Sequence, residues 1–390
     1  MQDELSFKYD TIVGKIFSCF LIFNILNVAI SLINEFAMFA DYTAYIFGAI
    51  YLVYILLHPR GLARVWKTII FVECIFVAMY LFGAMVHNNF SFELFSRMYW
   101  TILYCIPLGS MFFYVGNPER VINMTKRATY FSTCLALLIF IIYVLNKNLL
   151  TNQSYSMGLG YALLYSAIFH IKESKRSWIC IVASILDIGI LAMYGSRGQL
   201  LCVLLFVVLL YFCRHNLLSS KGLFFAILLC LIATVCILFF EEILQWVISV
   251  LDGFGIQSRS LGYFLERTTY TGRENVWSGA LELISQKWIY GWGIGLNTTI
   301  VEGSLPHNII LEFLLHYGVI FGTFISVFVL FIVFRGTFKR NYNISENILV
   351  FFTTGFIPLF LSSSYLMWPQ FWILLFLCYG RLKNRAILSL

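Results

Sequence analysis

The chain has 390 residues, of which 61% are hydrophobic, 18% aromatic and only 12% charged, with a formal net charge of +7. A soluble domain carries about 25% charged residues, whereas this chain has a mean hydropathy of +0.85. Water cannot cover that much apolar surface, so lipid is the expected solvent and a soluble enzyme or a second, soluble domain is excluded.

A membrane-spanning helix needs about 20 apolar residues at about 1.5 Å each. Met1–Asp10 is polar and has no cleavage pattern ahead of the first apolar run, so that run reads as a retained span. Spans are expected near 15–34, 38–57, 67–86, 94–115, 128–146, 155–171, 177–194, 198–213, 222–240, 306–334, 346–366 and 368–380. Only the tight turn Gly195-Ser196-Arg197-Gly198 separates the seventh from the eighth. The fold class is therefore all-α: residues 1–390 form one polytopic membrane domain with about twelve transmembrane helices. The ten cysteines lie in or beside apolar runs with no CxxC pair, so they read as small buried hydrophobes and imply neither a disulfide framework nor a zinc site.

The positive-inside rule orients these spans. With the N-terminus in the cytoplasm, only Arg97, Lys147, Arg197, Arg259, Arg267, Arg273 and Lys287 of the 26 Lys and Arg fall outside. Both termini are then cytoplasmic, and residues 241–306 form one large extracytoplasmic loop. That loop, of about 65 residues, is too long for a simple connector. Leu244, Val247, Ile248 and Leu251 recur in it at helical spacing, ended by Asp252-Gly253. Thr271-Gly272-Arg273-Glu274 reads as a capping box, and Trp277, Ala280, Leu281, Ile284 and Trp288 follow as one apolar stripe. Such an amphipathic helix, with two Trp on its stripe, suits a membrane surface. Gly291-Trp292-Gly293-Ile294-Gly295 then reads as a flexible turn; it follows no strand and is not a nucleotide fingerprint.

Charged groups at a membrane face need a reason. Arg273 stands in the first turn of a helix, where free N–H groups already supply partial positive charge; an anion joining both resolves the conflict. Arginine grips phosphate oxygens bidentately, so a diphosphate fits, against the plainer alternative of an ion pair with Glu274 or Glu266. Arg197, Arg259 and Arg267 are further outward-facing cations. His307, beside Asn308 at the outer end of the tenth span, can act as a general base on a sugar hydroxyl or simply cap its helix. Glu312 and His316, four residues apart, read as a mutually satisfied pair. Asp187, Glu73, Arg97 and His170 read as structural pairs with unnamed partners.

Three segments together resemble the O-antigen ligase and O-antigen polymerase superfamily, the Wzy-type bacterial membrane glycosyltransferases. They are Tyr155-Ser156-Met157 to Tyr161 followed by Gly195-Ser196-Arg197-Gly198; Thr271 to Trp277 leading to Gly291-Trp292-Gly293-Ile294-Gly295; and His307-Asn308, nine residues, then Gly318. One departure is Phe321, where the family pattern often has a small or polar residue, with Gly322 following.

The resemblance implies transfer of glycan from undecaprenyl diphosphate to a sugar hydroxyl at the outer membrane face. Arg197 and Arg273 would bind the diphosphate, His307 would orient or deprotonate the acceptor, and Arg259, Arg267, Asn308 and Glu274 would contact substrate. No cofactor, metal or nucleic acid is expected; a chain-length regulator and a flippase are the expected protein partners. The expected reaction is polymerisation of lipid-linked repeats into O-antigen, capsule or exopolysaccharide. The alternatives are a ligase acting on lipid A-core or protein, and a polysaccharide-related transporter. Transport is disfavoured because the polar groups gather at one face rather than at the midplane of repeated halves.

Overall fold

The protein is described by a computed structural model, which covers residues 2–32, 46, 49–50, 53, 59–86, 98–145, 155–193, 197–214, 240–253, 273–294, 306–338, 345–361 and 363–388. All regular structure among these residues is helical. In chain order the helices are α1 (Gln2–Leu32), α2 (Pro59–Val86), a π-turn (Thr101–Cys105) running into α3 (Ile106–Phe112), α4 (Pro118–Met124), α5 (Lys126–Leu145), α6 (Tyr155–Glu173), α7 (Trp178–Met193) and α8 (Arg197–Arg214). They continue with α9 (Phe240–Gly253), α10 (Arg273–Gln286), α11 (Ile309–Thr337), α12 (Glu346–Gly355), a 3-10 turn (Ile357–Phe360) and α13 (Pro369–Leu388).

The six prolines mark where these elements begin. Pro59, Pro118 and Pro369 open α2, α4 and α13, and Pro107 and Pro358 sit in the first turn of α3 and of the 3-10 turn. At Pro59, Pro118 and Pro369 the missing N–H has no helical partner to lose, whereas Pro107 follows directly on the π-turn, inside a continuous helical run. Asn117 caps α4, its side-chain oxygen accepting from Glu119 N at 3.0 Å and Arg120 N at 3.4 Å.

Ser6–Leu32, Val65–Val86 and Ile309–Thr337 are long and apolar enough to cross a membrane, with a fourth span if Pro118–Met124 and Lys126–Ile142 count as one broken span. Thr101–Phe112, Trp178–Ala192, Gly198–Arg214 and Glu346–Phe360 are shorter apolar helices. The chain is thus an all-helical, multi-pass membrane protein. The expected spans at 38–57 and 222–240 lie almost wholly outside the described residues. Apolar side chains such as Phe71, Ile185, Phe324 and Phe331 are exposed on these helices, as a lipid-facing surface requires. Cys105, Cys180, Cys202 and Cys378 are buried as expected, but Cys19, Cys74 and Cys134 are exposed on such faces.

Two compact units divide the chain. The first comprises Met1–Phe17, Ile46–Met124 and Gly272–Leu390. In it α13 packs along α3, α11 and α12. Small residues allow the close approach: Gly109 of α3 faces Trp372, and Gly336 of α11 faces Cys378. Phe17, Phe112 and Phe351 form an aromatic core with ring centroids 5.4–5.9 Å apart. The buried Asp10 carboxylate accepts from Gly116 N and Asn117 N, each at 3.0 Å, and meets Arg120 at 3.5 Å.

The second unit comprises Ser18–Tyr45 and Thr125–Thr271. Here α6 is the central helix, covered by α5, α7 and α8. Its buried His170 bonds Asp187 of α7, Nδ1 to Oδ2, at 2.8 Å. This names the partner that the sequence left open for both residues. Arg97 lies outside the described residues.

Candidate functional site

The N-terminus of α11 is built by three consecutive residues. Pro306 is buried and cannot extend a helix backwards. Asn308 takes an extended backbone, and its side-chain oxygen accepts from Ile310 N at 3.0 Å and Leu311 N at 3.3 Å. Between them His307 is half-buried with φ of 49°, the only non-glycine residue with positive φ among those described. Backbone in this region costs of order 1–3 kcal/mol and persists where the surroundings over-determine it.

α11 is broken nine residues after its start. Gly318 has φ 75° and ψ 174°, so the helical ladder stops there and resumes beyond. The break frees the carbonyls of Leu315 and His316. The segment that follows α10 takes them: Trp292 N donates to Leu315 O at 2.7 Å and Gly293 N to His316 O at 3.0 Å. In return Val319 N donates to Trp288 O at 2.6 Å. A side chain on Gly318 would strike Ile289 O, and one on Gly291 would lie 2.6 Å from the His316 carbonyl. The described part of the glycine-rich turn expected to be flexible, residues 291–294, is therefore a backbone stitch that satisfies a break in a helix long and apolar enough to cross a membrane. Phe321 is exposed, while Gly322 is buried against Phe313 and Leu314.

α10 runs against α11. Its expected apolar stripe splits: Ala280 and Ile284 are buried, whereas Leu281 and Trp288 are exposed. Trp277 connects the two elements, its indole Nε1 donating to Pro306 O at 2.8 Å. That bond ties the first turns of α10 to the residue before His307. Trp292 Nε1 closes the far end of α10 by donating to Leu283 O at 2.8 Å.

Beneath the start of α11 lies a polar cluster that sequence reasoning missed. Glu312 Oε2 accepts from Ser364 Oγ at 2.9 Å and from Tyr365 N at 3.4 Å. His316 Nδ1 meets the Tyr365 hydroxyl at 2.8 Å, and Tyr317 meets the same hydroxyl at 3.1 Å. The backbone of the 364–366 turn is held from the other side: Trp372 Nε1 donates to Tyr365 O at 2.7 Å, and Thr101 and Cys105 donate to Leu366 O. Glu312, His316, Ser364 and Tyr365 are buried. The expectation that Glu312 and His316 satisfy each other is corrected. Both turn to the broken backbone between the 3-10 turn and α13, which offers polar groups that a continuous helix would not. Glu312 Oε1 and His316 Nε2 are buried without a hydrogen-bond partner among the described residues. The signal in the sequence was Ser362-Ser363-Ser364-Tyr365 between Pro358 and Pro369, which marks a broken span.

Of the residues singled out from the sequence, Arg273 is the first residue of α10 and Glu274 the second, one turn ahead of Trp277. They share the first unit with His307 and Asn308. Arg197 is the first residue of α8 and belongs to the second unit. Arg259, Arg267, Thr271 and Gly272 lie outside the described residues. No group of three or more His, Cys, Asp or Glu arranged to hold a metal ion occurs among the described residues.

Residues 181–326 match the family model Wzy_C, described as O-Antigen ligase. No curated protein and no solved structure matches the chain significantly. The matched segment starts inside α7 and ends just past the Gly318 break, so it contains Arg197, Arg273, His307 and the stitched turn. Over that segment, which is less than half of the chain, the protein is similar to the O-antigen ligase family.

Proposed function

We propose that this chain polymerises undecaprenyl-diphosphate-linked oligosaccharide repeats at the outer face of the cytoplasmic membrane, with twelve spans and both termini inside. The observation that carries the reading is the Trp277–Pro306 hydrogen bond within the family-matched segment. It ties the first turns of the helix that Arg273 opens to the residue before His307, which supports a site in which a leaving diphosphate and an acceptor hydroxyl meet.

In this reading the acceptor oxygen forms a bond to the donor's anomeric carbon as the bond from that carbon to the diphosphate oxygen breaks. The electron pair leaves with undecaprenyl diphosphate, and the acceptor proton passes to the His307 imidazole. Arg273, at a helix N-terminus, stabilises the charge that develops on the diphosphate. Arg197 takes the same part by resemblance, and Arg259, Arg267, Asn308 and Glu274 contact substrate. The fixed backbone of His307 suits a group whose position sets the rate. A chain-length regulator and a flippase are the proposed protein partners.

The ligase reading has one observation in its favour, the description of the matching family. Cell-surface glycan from a deletion strain separates the two. Loss of a polymerase leaves a single attached repeat, whereas loss of a ligase leaves unattached polymer. Complementation with Arg273→Ala is expected to leave the deletion pattern, while Lys287→Ala restores full-length chains. Equal chains from both variants at equal expression would remove Arg273 from the site.

A further inference from the structure

We propose that Tyr365 is a positioning residue for His307, acting through His316 and the first turns of α11; this rests on the reading of His307 given above. The stretch from Asn308 to Tyr317 is a short helix of its own. It is capped by Asn308 at one end and cut off by the Gly318 break at the other. Two clamps hold it. On one side the turn after α10 bonds the carbonyls of Leu315 and His316. On the other side the 364–365 turn engages Glu312, His316 and Tyr317, and the Tyr365 ring lies 4.8 Å from that of Phe313.

Every one of these clamped residues falls within the three turns that follow His307. The Tyr365 hydroxyl is the junction, since it bonds the side chains of both His316 and Tyr317. His307 itself precedes the cap with positive φ, and Trp277 pins the residue before it. A rigid-body shift of the short helix therefore displaces His307, because no flexible residue separates them. A displacement of about 1 Å at a reacting group can cost on the order of 100-fold in rate. A core tyrosine that merely filled space would not need a hydroxyl bonded to two side chains of the same half-helix.

The test is a cycle of Tyr365→Phe, His307→Ala and the double variant, each purified in nanodiscs. The probe is the lipid-linked repeat extracted from cells deleted for this chain. Tyr365→Phe is expected to lower kcat about tenfold with KM within about twofold of wild type, and the double variant to be no slower than His307→Ala. If the two effects multiply, or if Tyr365→Phe leaves kcat unchanged, the inference is overturned while the His307 reading stands. If His307→Ala keeps wild-type activity, the reading itself fails and the inference falls with it. Should Tyr365→Phe not yield folded protein, His316 supplies the same test. His316→Asn, which keeps a hydrogen-bonding atom where Nδ1 stands, is expected to recover most of the kcat that His316→Leu loses. Equal kcat in those two overturns the inference.

Discussion

His307 combines a chemically versatile side chain with a backbone conformation that other residues avoid. Its φ of 49° predicts a separation of stability from activity. His307→Gly relieves the backbone and is expected to be about 1 kcal/mol more stable than His307→Ala, read as a higher thermal midpoint in detergent. Both variants are expected to lose activity by about 10²- to 10⁴-fold, because both remove the imidazole. Equal midpoints would show that the positive φ carries no strain. The start of α11 at His307 and Asn308 was legible in the sequence, because Pro306 and an Asn cap mark a helix N-terminus. Glu312 and His316 were misread because i, i+4 spacing on an isolated helix favours mutual pairing. Their true partners, Ser364 and Tyr365, come from a turn about 50 residues away, which local spacing does not encode.

Among the elements, α11 is the one whose form matters most. Its apolar pattern continues through Gly318, so periodicity reads one uninterrupted span. The break becomes visible only with its partner, the 288–293 turn that takes over the freed hydrogen bonds. Gly318→Ala and Gly291→Ala both place a methyl group on backbone atoms at positive φ and are expected to be strongly destabilising, by more than the roughly 1–2 kcal/mol of the conformation alone. Gly279→Ala is the internal control. It sits in α10 with nothing within 4 Å, and alanine there is expected to stabilise by about 0.5–1 kcal/mol. Thermal unfolding of the three variants checks the sign of each change; a stable Gly318→Ala would contradict the stitched break. The helix and the apolar stripe of α10 were legible in outline, while the expected capping box lies outside the described residues. The stripe's division between a buried and an exposed edge was not, because burial depends on how α10 lies on α11.

For the molecule as a whole, composition dictates the membrane and the helical class, while the number of spans is harder to read. Helices as short as Trp178–Ala192, or broken as between Glu346 and Trp368, do not match the length of an ideal span. The topology proposed here expects a periplasmic-active reporter to work when inserted after residue 258 and a cytoplasmic one to work when fused after Leu390. Activity on the opposite sides would reverse the orientation and move His307 to the inner face. The central claim is that the His307 turn transfers lipid-linked glycan onto a second lipid-linked repeat. Purified protein given a synthetic undecaprenyl-diphosphate-linked repeat tests it most directly, with His307→Ala alongside. The account predicts a ladder of longer lipid-linked products from wild type and none from the variant. Folded wild-type protein that leaves the repeat unextended, or a variant that builds the same ladder, would contradict it.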